Sequence, residues 1–153
     1  LEGWVLGASG RFEQLRGLDQ RLASVDARSQ LYPVAVKLRV DWRLWFARKA
    51  EDRDLAREAM TLLDDLLPSY WNADLYLLRA ACAATAGELN AMVESYAAAI
   101  SQVQNEMKRS VAVDDPGLTR RLDFATAALR DSAAALPKGA LASVRIEEIL
   151  ATL

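Results

Sequence analysis

Apolar residues recur at steps of three and four along most of this chain, with glycine and proline falling between the periodic stretches. No other feature restricts the fold as much, because a three-to-four step suits helices that each bury one stripe. In residues 87–100, GELNAMVESYAAAI, the side chains Leu89, Met92, Val93, Tyr96, Ala99 and Ile100 fall on one face. This predicts a helix that opens after Gly87 and runs to about Lys108.

The same step organises the neighbouring segments. Leu15, Leu18, Leu22 and Val25 predict an amphipathic helix early in the chain, and Leu55, Ala59, Leu62, Leu63 and Leu66 another that Pro68 ends. Asn72 is placed to cap a helix over ADLYLLRAACAATA, which Gly87 terminates. Asp115 followed by Pro116 reads as N-cap and first helical residue of a further helix, with Leu118, Leu122, Ala125 and Leu129 inward. Residues 136–139, LPKG, break it, and Val144, Ile146, Ile149, Leu150 and Leu153 mark a last short helix.

Residues 33–46 are ambiguous. Val36, Leu38, Val40, Trp42 and Leu44 alternate strictly with charged residues, as an edge strand would. As a helix, Val36, Val40, Leu44 and Ala47 share one side, and Leu38, Trp42 and Trp45 another. A helix between two neighbours is the preferred reading, since no second strand-like run exists to pair with a strand.

Chemistry is narrowed by what is missing. The 153 residues contain no histidine, which removes imidazole zinc sites and His-dependent nucleophilic or acid–base catalysis. Cys82, the one cysteine, lies among alanines and reads as a small buried residue. The acidic pairs Asp64-Asp65, Asp114-Asp115 and Glu147-Glu148 are sequence neighbours, which on a helix point apart rather than converge, and GASG at 7–10 lacks the lysine of a phosphate loop. No enzyme activity, metal or cofactor is expected. With 19 Lys and Arg against 21 Asp and Glu, no global basic field draws nucleic acid or anionic lipid. No apolar run approaches a membrane span and the opening residues lack a leader pattern, so a cytoplasmic setting is expected over a secreted one. The missing initiator Met hints at a piece of a longer protein. Abundant Ala, Leu and Arg suit a bacterial source.

The arrangement around Gly87 resembles the tetratricopeptide repeat (TPR) family, a helix-turn-helix unit of roughly 34 residues. Tyr76 matches the family's first large apolar position, Ala80 the small one, Gly87 the turn, and Tyr96 and Ala99 the second-helix core. Met92 replaces an alanine, and Ala83 and Leu89 replace aromatics. A second register sets Gly10 at the turn, with Gly3, Leu6, Phe12, Leu15 and Leu22 around it. Between them, Pro68 fits the terminal proline and Ala56 or Ala59 the small position, while Glu51 stands where the turn glycine belongs. The resemblance spans about residues 1–105. It implies an all-α, TPR-like stack of antiparallel helix pairs, in all about seven or eight helices. Residues 1–109 would form the repeats, and residues 110–153 a C-terminal helical hairpin or cap on the same domain.

Proteins resembling this family hold a partner peptide or helix on a concave face. Carrying its groove positions onto the second helix pair points to Leu38 and to a stripe of Asp41, Trp45, Arg48 and Lys49 as partner-binding residues. An aromatic beside two cations suits an acidic, partly apolar peptide. The corresponding Leu77, Ala81, Ala84 and Thr85 are uncharged and suit close helix packing instead. A non-catalytic protein-interaction or assembly module is therefore expected, with self-association left open. The alternative is a regulatory or structural helical domain of a larger enzyme or envelope protein. A nucleic-acid surface built from Lys37, Arg39, Trp42, Arg43, Arg48 and Lys49 is the weaker reading, because helical geometry scatters these cations around the axis.

Overall fold

In the computed structural model, which describes residues 12–109, 115–137 and 139–153, the ambiguous segment is a helix, Tyr32–Ala50. Pro33 in its first turn costs no hydrogen bond, since the opening N–H groups of a helix have no internal partner. Val36, Val40, Leu44 and Ala47 are buried together, as the helical reading required. The described residues contain seven helices and no strand, so the fold is all-α: α1 Phe12–Ala23, α2 Tyr32–Ala50, α3 Arg53–Leu66, α4 Ala73–Ala86, α5 Leu89–Arg109, α6 Pro116–Ala135 and α7 Leu141–Leu150.

The punctuation acts where it was read. The Asn72 side chain accepts from Leu75 N–H at 2.9 Å, Asp115 caps α6 ahead of Pro116, and Gly87 adopts a left-handed φ of 78° after α4. The second register of the resemblance rests on Gly3, Leu6 and Gly10, which lie outside the described residues. So do residues 110–114 at the proposed internal boundary.

Two compact units are distinguished. The first takes in the described residues up to 70 together with 85–87. In it α2 packs against both α1 and α3. Leu63 and Leu66 of α3 are fully enclosed, each contributing about 1.5–3 kcal/mol through removal of apolar surface from water. Ala47, Ala56 and Ala86, with Leu55 against them, form a close cluster in which small side chains permit near approach.

The second unit comprises residues 71–84 and 88–153. Here α5, α6 and α7 pack on one another, with Leu129 and Ile146 fully buried and Ala73, Val103 and Leu118 forming a cluster backed by Leu122. Arg121 of α6 donates two hydrogen bonds to Asp74 of α4, and that carboxylate raises the Arg121 pKa above its ordinary value. Cys82 is buried, as its setting among alanines implied.

Candidate functional site

Helix α2 carries the unusual chemistry of the chain, and its two sides do different things. Its inner side holds a buried ion-pair cluster around Asp19 of α1. Arg39 Nε donates to Asp19 Oδ1 at 3.0 Å, Trp42 Nε1 donates to the same oxygen at 3.2 Å, and Arg43 Nη2 donates to Oδ2 at 2.8 Å. The Arg43 guanidinium lies 4.4 Å from the Trp42 ring centroid, a cation–π contact. On its other side Arg43 Nε is 3.5 Å from Glu58 of α3, so one guanidinium links α1, α2 and α3. Burial pushes the Asp19 carboxyl upward, but the hydrogen bonds from Arg43, Arg39 and Trp42 and the Arg43 charge outweigh it and hold the pKa at about 2.

This cluster is structural in character. Both Asp19 oxygens accept from cluster members, while Arg43 Nε is buried without a hydrogen bond and has only the ion-pair approach of Glu58; the cluster offers no nucleophile beside a base. Arg39, Trp42 and Arg43, three of the six residues of the nucleic-acid reading, are thereby committed to Asp19.

The outward side of α2 carries an apolar stripe that is exposed over its first half. Leu31 is 66% exposed, Val34 56% and Leu38 41%. With Trp45 they follow the steps of three, four and seven that make one helical stripe. Trp45 is half-buried and stands edge-to-face on Phe46, with ring centroids 4.8 Å apart. The helix was expected to pack both apolar sides against neighbours. Trp42 does so through Asp19, whereas Leu38 faces solvent.

The four residues singled out from sequence do fall along this side. Asp41 is half-buried and pairs with Lys37 at 2.7 Å, one turn back on the same helix. Arg48 and Lys49 are exposed in the last turn, where their charges also complement the helix dipole, and neither has an ion-pair partner among the described residues. Sequence reasoning missed Leu31 and Val34, although stepping back by seven and four from Leu38 leads to both. It also missed Asp19, whose signal was a carboxylate placed within the apolar stripe of Leu15, Leu18 and Leu22.

The uncharged set on α4 is less enclosed than expected: Ala84 is exposed, and Leu77, Ala81 and Thr85 are half-buried. In the connection before α4, Tyr70 is half-buried and Trp71 exposed. Among the described residues no three His, Cys, Asp or Glu side chains converge as a metal site requires, and no helix is long and apolar enough to cross a membrane. The chain matches no protein-family model, no curated protein and no solved structure.

Proposed function

We propose that this chain is a TPR-like helical module, without catalysis or cofactor of its own, that binds a protein partner along the outward side of α2. The observation that carries the reading is the outward stripe of exposed Leu31, Val34 and Leu38 and half-buried Trp45, which ends at the exposed cations Arg48 and Lys49, neither of them with an ion-pair partner among the described residues. An apolar strip of this kind on one helix, bordered by charge, has the composition of an interaction surface.

Support for the repeat comes from the turns. After α2, Glu51 takes a left-handed φ of 54° and Asp52 N–H donates to Ala47 C=O. After α4, Gly87 takes φ 78° and Glu88 N–H donates to Ala83 C=O. These are the same hydrogen-bonded helix endings at a constant offset of 36 residues, close to the family's repeat length. The nucleic-acid reading is disfavoured by the commitment of Arg39 and Arg43 to Asp19.

A photo-crosslinking residue at Leu38, compared with one at the exposed Thr61 of α3, tests the proposal in lysate of the source organism. The expected result is a protein adduct at Leu38 alone, lost in a Trp45→Ala/Arg48→Glu variant that circular dichroism shows to be helical. Equal adducts at both positions, or capture of nucleic acid, would remove the α2 surface from consideration.

A further inference from the structure

Resting on that reading, we infer that the partner segment is an amphipathic helix lying antiparallel to α2, with carboxylates in its first turn beside Arg48 and Lys49. Three observations converge on it. Leu31, Leu38 and Trp45 stand at seven-residue steps with Val34 between the first two, the spacing of a helix–helix seam. Those residues span a rise of about 21 Å, which a partner helix of four turns covers.

The second observation is the polarity of the stripe. Its N-terminal half is apolar, whereas its C-terminal end carries Arg48 and Lys49, exposed and without ion-pair partners among the described residues. An antiparallel partner brings its own N-terminus to that end. Carboxylates in a first turn are favoured by the partner's own dipole and meet the two cations directly.

Third, α2 itself is a poor occupant. It has no acidic residue in its first turn, so an antiparallel second copy would set an uncompensated helix N-terminus against Arg48 and Lys49. A parallel copy would place these cations against themselves. Like charges in register disfavour both arrangements.

The test uses two synthetic amphipathic peptides of identical composition, with leucines at heptad spacing and three glutamates in the first turn of one and the last turn of the other. Fluorescence anisotropy measures their affinity for the whole chain and for an Arg48→Glu/Lys49→Glu variant. The first-turn peptide should bind about fivefold tighter, the size expected of two exposed ion pairs. A first-turn lysine analogue should be preferred by the charge-reversed variant, an inversion that differences in peptide helicity cannot produce.

Equal affinities, a preference that survives charge reversal, or no binding of either peptide overturns the inference. So does a dimer in sedimentation that Leu38→Asp dissolves. The Leu38 crosslink separates the two levels: a protein adduct there without any peptide preference leaves the surface in place and removes the acidic helix.

Discussion

The hairpins α2–α3 and α4–α5 end their first helices alike yet secure an arginine, buried in the first and half-buried in the second, differently. In the first, Arg43 reaches out of the hairpin to Asp19 of α1, while in the second the counterpart Arg79 donates to the Ser95 hydroxyl at 2.7 Å and the Ala91 carbonyl at 3.3 Å, both on α5. Position 95 is a serine, whereas its counterpart in α3 is Ala59, which has no side-chain acceptor. An enclosed guanidinium needs acceptors, and where the hairpin supplies no hydroxyl but only the more distant Glu58 carboxylate, a neighbouring helix supplies the hydrogen-bonding one. An arginine on the first helix of a hairpin can thus tie the pair to itself, as Arg79 does, or fasten an added helix to it, as Arg43 does.

The largest effect should come from breaking the Asp19 contact. Either Asp19→Leu or Arg43→Met alone should cost about 1.5–3 kcal/mol, because a charge-assisted hydrogen bond is lost while Asp19 keeps Arg39 and Trp42, or Arg43 keeps Glu58, and the double variant should cost less than the sum of the two. Denaturant unfolding followed by tryptophan fluorescence and circular dichroism measures the cycle, and additive losses would show the two charges to be independent.

The same contact has a pH signature. The Asp19 pKa of about 2 lies below the usual carboxylate value, so its stabilisation is complete above about pH 4 and disappears as pH falls through about 2. Asp19→Asn should therefore be less stable than the native chain at neutral pH and converge with it in acid. A gap that persists at pH 2 would assign the loss to packing.

A smaller effect is expected in the second hairpin. Ser95→Ala removes an acceptor from Arg79 and should cost about 1–2 kcal/mol with no comparable acid dependence. A loss as large as that of Asp19→Leu would erase the distinction between the two ties.

The turns give the finest comparison. Gly87→Ala should cost about 1 kcal/mol through the left-handed backbone, since an added Cβ would meet only the Arg53 guanidinium at an ordinary 3.7 Å. Glu51→Gly should stabilise by up to about 1 kcal/mol, because Glu51 already holds that conformation with a side chain that disfavours it. Thermal melts of both variants would show whether the two turns carry equal strain.

Much of the architecture could be read from local pattern. Periodicity located the helices, and Asn72, Gly87 and Asp115 act as their caps and stops because capping depends only on residues a few positions apart. The strand-like alternation of residues 33–46 was harder, since a helix with one buried side and a second, largely uncovered apolar side carries both periods. For the candidate surface, Asp41, Trp45, Arg48 and Lys49 could be placed on one side of α2 from helical geometry alone. That Leu31, Val34 and Leu38 extend that side into solvent could not, because exposure depends on which neighbours arrive.

The sequence by itself determined the all-helical character, the chain's stops and turns, and the absence of histidine chemistry, all of which follow from residue type and short-range spacing. Only the tertiary structure decided that Asp19 meets Arg39, Trp42 and Arg43, residues 20 to 24 positions away in sequence. The sequence set Glu51 at a turn position, and the structure shows that it takes the left-handed backbone there as Gly87 does. Long-range packing selects which charge is enclosed and which apolar side is left open, and that selection is a property of helices brought together rather than of any one of them.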